Sequence, residues 1–196
     1  MKSRLPVIIA IGVVVTILFW GFAQYNGLVR ADQGVKTSWS NVETNYQRRT
    51  DLYNSVVKTI EGSANFEKST LKDVIAARTN ATSVRVDIND AASLQKFQQA
   101  QTQLQSSFSR LLAIAEAYPD LKTTQAFQDF QTQIEGTENR INVARQNYNA
   151  VVNTYNIKVK TFPSNIFAGL FGYRERPYYK ADQGNEKTPG INFNVK

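Results

Sequence analysis

Cysteine and histidine are both absent from the 196 residues of the chain. The sequence therefore has neither of the side chains that dominate zinc sites, no thiol nucleophile, no disulfide, no imidazole for acid–base catalysis and no cysteine for lipid attachment. Glycine and proline are also scarce, at 10 and 5 residues, which argues against an all-β chain with many tight turns. These shortages exclude several classes of enzyme and favour a helical protein.

Basic charge is in excess only at the two ends of the chain. The net charge is +7, but residues 5–157 carry 14 basic and 13 acidic side chains. A protein that binds nucleic acid normally concentrates its basic residues on the folded body. We therefore expect no nucleic-acid partner.

A run of nineteen residues without charge, residues 5–23, follows a short basic N-terminus at residues 1–4. At 1.5 Å per residue the run spans roughly 28 Å, close to the hydrocarbon thickness of a bilayer. Aromatic side chains lie at its far end, where they mark a membrane interface. We predict a transmembrane helix that is anchored in the bilayer through Leu5, Val14, Trp20 and Phe22.

The end of this run also has the form of a signal-peptide cleavage site, Gly21-Phe22-Ala23. The run is longer than the roughly 7–15 residues usual for the core of a signal peptide, which favours an uncleaved anchor. The basic N-terminus favours a cytoplasmic start, although Arg30 and Lys36 follow the run closely. We therefore expect a single-pass cell-membrane protein whose later residues lie on the extracytoplasmic (periplasmic or extracellular) side.

After the anchor, apolar residues alternate at spacings of four and three, the period of amphipathic helices. The first stripe comprises Val35, Trp39, Val42, Tyr46, Arg49, Tyr53, Val56 and Ile60. Further stripes predict three more helices, over about residues 67–89, 90–118 and 123–160. The stripe of the second of these includes Gln101, and the stripe of the third extends to Phe162. Because short connections join long helices, we predict an all-α fold in which an antiparallel four-helix bundle follows the transmembrane helix.

Two segments follow the last predicted helix. Residues 162–173 are too apolar for a free linker, so we expect them either to fold back on the open end of the bundle or to contact the bilayer surface. The bundle region then covers residues 24–173. Residues 174–196 are polar and contain Gly and Pro, and we expect a mobile tail there.

Three arginines lie on stripes that otherwise hold core residues: Arg49, Arg78 and Arg85. Each needs a carboxylate or carbonyl partner, or must extend to solvent, because an unpaired arginine in a core is very costly. The candidate carboxylates near the facing stripes are Glu116, Glu135 and Glu138. Either such pairs fix the register of the helices, or Arg49 and Arg78 line an open cleft that binds an anion or a peptide.

Chemistry beyond these arginines finds little support. The sequence shows no Gly-rich phosphate loop, no acidic metal-ligand cluster and no nucleophile with a base, so we expect no catalysis, no cofactor and no metal.

Six of the eleven residues from Gln95 to Gln105 are glutamine, on the outer face of the third helix. Such a neutral face suits packing against another copy of the chain or another protein.

Several motifs, in order along the chain, resemble the LemA family. They are Tyr25-Asn26-Gly27-Leu28-Val29, Trp39-Ser40-Asn41-Val42, Arg48-Arg49-Thr50-Asp51-Leu52, Glu116-Ala117-Tyr118-Pro119-Asp120-Leu121-Lys122, Glu138-Asn139-Arg140-Ile141, Gly169-Leu170-Phe171-Gly172-Tyr173 and Arg176-Pro177-Tyr178-Tyr179. The resemblance covers residues 25 to about 180. It implies a single-pass bacterial membrane protein with a helical bundle and no assigned catalytic activity. Asn54 stands where the family usually has a proline.

The sequence thus favours a membrane-anchored helical scaffold or adaptor of the bacterial cell envelope. Such a protein engages protein partners, which could include other copies of itself, and performs no catalysis. The alternative is a sensor or binding module that captures a small anion or peptide between helices through Arg49 and Arg78.

Overall fold

One helix, α1, runs without a break from Leu5 to Glu61. The computed structural model describes residues 4–61, 67–122 and 124–180, and in it α1 joins the apolar run directly to the first amphipathic stripe. Residues 6–20 are all exposed, and the helix begins to bury one face only at Leu28. Within the described residues, α1 is the one helix that is long and apolar enough to span a bilayer.

The buried face of α1 follows the predicted stripe and extends it. All eight predicted residues, from Val35 to Ile60, are buried. The same alternation of four and three continues back to Asp32 and Leu28, which are buried as well. The stripe is confirmed, and its extension places a carboxylate, Asp32, on the buried face.

The second helix, α2, runs from Lys68 to Ser83 and ends before the predicted boundary near residue 89. Val84 already has an extended backbone, with φ −73° and ψ 112°. Thr79, Thr82 and Val84 are β-branched and have low helix propensity, so this stretch does not sustain the helix. Arg85 lies beyond the helix and is exposed, so its predicted place on a buried stripe is wrong.

The third helix, α3, runs from Ala91 to Ala115. Asp90 caps its start, since its carboxylate accepts hydrogen bonds from the backbone N–H groups of Ala92 at 3.0 Å and Ser93 at 3.2 Å. Such a cap satisfies donors that the first turn leaves unpaired. The boundary predicted from the sequence at this point is confirmed.

Three helices follow: α4 (Pro119–Lys122), α5 (Gln125–Lys160) and α6 (Ser164–Leu170). The buried side of α5 includes Phe127, Phe130, Ile141, Tyr148 and Tyr155, as its stripe predicts. The stripe is wrong at its end, because Phe162 is 79% exposed. The helix stops at Lys160, so Phe162 no longer follows helical spacing.

Two compact units divide the described residues, and α1 and α5 contribute to both. The first contains residues 4–47 and 137–178. The second contains residues 48–136 and 179–180, and its core draws apolar side chains from α1, α2, α3, α4 and α5. At its centre the ring of Tyr53 stacks on that of Phe108, with centroids 3.7 Å apart and planes 6° apart.

All regular structure in residues 4–61, 67–122 and 124–180 is helical, which confirms the predicted all-α class. The antiparallel four-helix bundle stays a prediction. α1 also continues through Asn54, where the family's usual proline is replaced. Residues 62–66, between the first two helices, and the tail from residue 181 lie outside the described residues.

Candidate functional site

Arg49 is completely buried within the second unit, at 0% exposure. Its Nη2 donates a hydrogen bond to Oε1 of Gln101 at 2.6 Å and lies 3.3 Å from the Gln101 carbonyl oxygen. The guanidinium carbon lies 5.9 Å from the ring centroid of Tyr53. α3 therefore offers this charge an amide and a backbone carbonyl, and the carbonyl is one of the two partner types that the sequence required.

Gln101 is buried, as its place on the α3 stripe predicts. It therefore does not belong to the outer glutamine face that we assigned to residues 95–105. The exposed members of that face are Gln95, Gln99, Gln103 and Gln105. The exposed face therefore contains four of the six glutamines counted in the sequence.

The other predicted site residues have different environments. Asp51, Glu116 and Glu135 are exposed, as is Arg85, whereas Glu138 and Arg78 are half-buried. The Nε of Arg78 is buried and has no hydrogen-bond partner among the described residues. The predicted arginines thus do not share one environment.

The described residues include a surface groove in each unit, and neither of these two grooves is lined by Arg49 or Arg78. In the second unit, a groove of about 400 Å³ between α2 and α3 is lined by Asp73, Ala76, Ala77, Gln103, Ser106, Ser107 and Arg110. In the first unit, a groove of about 360 Å³ between α1 and α5 is lined by Ser38, Asn41, Asn45, Asn139, Arg140, Val143, Ala144 and Asn147. The second of these presents four asparagine amides and one guanidinium, which suit a polar, extended ligand.

Asp32 is the centre of a buried ionic cluster in the first unit. Its Oδ2 lies 2.8 Å from Nζ of Lys36, one turn along α1. Its Oδ1 accepts a hydrogen bond from Nη2 of Arg176, which lies 144 residues away in the sequence. The side chains of Asp32 and Arg176 are only 9% and 8% exposed, so the pair is desolvated.

Residues 173–178, here called the C-terminal strap, bind along α5. The backbone N–H of Arg176 donates to Oδ1 of Asn156 at 2.8 Å, and Nδ2 of Asn156 donates back to the Arg176 carbonyl at 2.9 Å. The hydroxyls of Tyr155 and Tyr148 donate to the carbonyls of Arg174 at 2.9 Å and Pro177 at 3.3 Å. The prediction of a mobile tail from residue 174 is therefore wrong for the strap, because four of its backbone groups form hydrogen bonds with α5.

The strap and its ion pair alter the acidity of the groups that they cover. Burial alone would raise the pKa of Asp32, but hydrogen bonds and Coulomb attraction from Lys36 and Arg176 outweigh it and lower that pKa below 3.8. Burial raises the pKa of the Tyr148 phenol to about 12 and also raises that of Tyr155. The folded chain therefore favours an ionised Asp32 beside two neutral tyrosines.

The lowered pKa of Asp32 predicts how stability depends on pH. The carboxylate binds a proton less readily in the folded chain than in the unfolded chain, so its stabilisation is complete above pH 3.8 and is lost as the pH falls through the folded pKa. Asp32→Asn should lower the free energy of unfolding by about 1.5–3 kcal/mol at neutral pH. It should also weaken the fall of that free energy as the pH decreases below about 4. Urea unfolding followed by circular dichroism at several pH values measures both effects. The exposed Asp73→Asn variant is the control, and an equal change in it would contradict the assignment.

The Asp32 cluster was not predicted, although a signal for it exists in the sequence. Continuing the α1 stripe by two steps toward the N-terminus reaches Asp32, and a carboxylate on a buried stripe requires a cationic partner. No local pattern points to Arg176 as that partner. Acidic side chains do not gather in threes anywhere in the described ranges, so these residues present no acidic metal site.

Comparison with known proteins places these features in a family. The model of the LemA family matches residues 38–193, which is most of the chain. The chain belongs to the LemA family. The family residues recognised in the sequence include Arg176-Pro177-Tyr178, so this LemA-family protein builds its strap from them.

Individual relatives are distant in sequence. Magnetosome proteins MamQ 1 and MamQ 2 of Paramagnetospirillum magneticum are each 24% identical over 187 residues, which cover 86% of this LemA-family chain and 68% of theirs. Protein LemA of Metamycoplasma hominis is 27% identical over 143 residues, which cover 73% of this chain and 63% of that protein. The similarity therefore extends over most of the described residues.

Proposed function

We propose that this LemA-family protein is a single-pass, membrane-anchored scaffold or adaptor of the bacterial cell envelope. Residues 5–23 cross the bilayer, with residues 1–4 in the cytoplasm. The helices that follow form an antiparallel four-helix bundle on the extracytoplasmic side. The bundle engages protein partners, with another copy of the chain as one candidate, and performs no catalysis.

The continuity of α1 is the observation that carries this proposal. Exposed apolar residues from Val7 to Phe22 occupy the same unbroken helix as the buried stripe from Leu28 to Ile60. An apolar surface of that length on a single helix is stable in lipid and unstable in water. A helix that leaves the bilayer and begins to bury one face at Leu28 joins the folded residues of the first unit directly to the membrane.

The exposed glutamine face of α3 supports a role in protein contacts. Gln95, Gln99 and Gln103 follow one another at four-residue spacing on the exposed side. Amide side chains offer donors and acceptors without charge repulsion, and interface cores are depleted in charge. Two relatives are named for the magnetosome and not for a reaction, which also favours a non-catalytic role here.

Photo-crosslinking in native membranes tests the proposal. Benzoylphenylalanine placed at Gln99 on the glutamine face should give discrete adducts heavier than 22.1 kDa, which mass spectrometry can assign to a partner or a second copy. The matched control is the same substitution at Gln131, an exposed glutamine on α5 in the same unit. Equal yields at the two positions, or no adduct at Gln99, would contradict a partner-binding role for this face.

The alternative, capture of an anion or peptide through Arg49 and Arg78, has less support from the geometry. The Arg49 guanidinium is buried and donates to Gln101, and the two grooves described above are lined by other residues. The Nε of Arg78 is buried and makes no hydrogen bond among the described residues, but Arg78 lines neither of these grooves. The scaffold is therefore the function that we carry forward.

A further inference from the structure

The short helix α6 and the residues that flank it expose large apolar side chains. Four side chains, here called the α6 apolar patch, are those of Phe162, Ile166, Leu170 and Phe171, with exposed fractions of 79%, 60%, 74% and 50%. Large apolar side chains scattered singly on a surface are ordinary, whereas several of them within about ten consecutive residues mark contact with lipid or with protein. The patch therefore requires a covering partner.

Aromatic contacts fix the level of α6 along the anchor. The ring of Phe167 meets that of Trp20 edge-on, with centroids 5.6 Å apart. The rings of Phe171 and Tyr25 are 4.8 Å apart. α6 therefore lies level with residues 20–25 of α1, where the transmembrane run ends at residue 23.

A polar contact and a positive charge occur at the same level and just beyond it. The hydroxyl of Ser164 donates a hydrogen bond to Oε1 of Gln24 at 2.7 Å. The ammonium end of Lys158 lies against Gly27, about 6 Å further along α1 than residue 23 at 1.5 Å per residue. Apolar run, aromatic side chains and basic side chain thus follow one another in the order found at a bilayer interface.

We propose that the α6 apolar patch inserts into the bilayer, at the headgroup boundary of the leaflet in which the transmembrane run ends. The proposal rests on the membrane anchoring by residues 5–23 proposed above. Its argument is continuity, because the patch adjoins a surface whose occupant is lipid. Interfacial helices bury their apolar face about 5–10 Å into this boundary, which matches the roughly 7.5 Å that residues 20–25 span along α1.

This second membrane contact has a structural consequence. A lone spanning helix can tilt and rotate in the bilayer, whereas aromatic and basic anchors at the interface set its tilt and rotation. With α6 in the headgroup region, the residues of the first unit near Leu28 are held at the membrane surface. The first unit would then meet its partners at a defined height above the membrane.

Site-directed spin labelling of the full chain in lipid nanodiscs tests the proposal. The absence of cysteine means that each introduced cysteine is the only labelling site. Labels go on Ile166→Cys and Leu170→Cys in the patch, on Val14→Cys as the spanning control, and on Val143→Cys as the matched control. Val143 is an exposed apolar side chain of α5 that lies outside the patch. Collision with oxygen, which concentrates in lipid, is compared with collision with a water-soluble nickel chelate.

The four labels separate the possible results. If the patch labels lie in lipid, their ratio of oxygen to nickel collision rates should be at least about fivefold above that of the Val143 label. It should remain below that of the Val14 label at the bilayer centre. Patch labels that match Val143 while Val14 remains in lipid would overturn the insertion of α6 and leave the anchor intact. Patch labels shielded from both reagents would mean that protein covers the patch, which also overturns the proposal. A nickel-accessible Val14 would contradict the anchor itself.

Discussion

Replacing Val14 by arginine should release the protein from the membrane fraction. Val14 lies at the middle of the apolar run and is exposed on α1. A charged side chain at the centre of a spanning helix costs about 2.5–3.5 kcal/mol on insertion scales, which corresponds to roughly a hundredfold loss in insertion. Fractionation of cells that express the variant measures the loss directly.

The matched control for this experiment is the same change at another exposed valine. Val143→Arg places a charge on α5, outside the apolar run, and should leave membrane association unchanged. The wild-type chain in the membrane fraction should retain residues 1–23 when its mass is measured, because cleavage after Ala23 would remove the anchor. If the Val14→Arg variant stays fully in membranes, residues outside the apolar run must bind lipid independently of residues 5–23.

Replacing Arg49 by alanine should lower the free energy of unfolding by about 3–5 kcal/mol. The side chain is fully buried, so truncation leaves a cavity and removes the donor that binds both oxygens of Gln101. Denaturant unfolding of the full chain in detergent, followed by circular dichroism, measures the difference. The neighbouring Arg48 is exposed, and Arg48→Ala should change stability by less than about 0.5 kcal/mol.

A double-mutant cycle with Gln101→Ala separates the contact from the cavity. If the Arg49–Gln101 hydrogen bonds carry the effect, the two substitutions together should cost about 1.5–3 kcal/mol less than the sum of the single ones. A loss below about 1 kcal/mol for Arg49→Ala is typical of an exposed side chain. That result would contradict the burial of Arg49 and favour the ligand-binding alternative.

The α1 stripe was predictable because a single helical period determines which face is buried. Spacing alone placed Val35, Trp39, Val42 and the later members on one line, and it also placed Gln101 on the buried side of α3. The same spacing also places Asp32 on the buried face, but a search for apolar residues does not select a carboxylate. Its partner Arg176 is 144 residues away, and no local pattern encodes a contact at that distance.

The strap and the end of α2 were not predictable, for a different reason. Residues 174–178 have the composition of a mobile tail, yet Asn156, Tyr148 and Tyr155 of α5 satisfy their backbone groups. At the end of α2 the apolar spacing continues to Ile88, but the low helix propensity of Thr82 and Val84 ends the helix first. Backbone hydrogen bonding determines the structure of the strap and helix propensity determines the end of α2, and side-chain periodicity reports neither.

Labelling from one side of the membrane tests the central claim most directly. Thr59 is exposed on α1 beyond the anchor. Because the chain has no cysteine, Thr59→Cys introduces its only thiol. In cells stripped of their wall, a membrane-impermeant maleimide should label this cysteine before lysis, while a cysteine at Lys2 should react only after lysis. Labelling of Thr59→Cys only after lysis would place the helices in the cytoplasm and contradict a scaffold on the extracytoplasmic side.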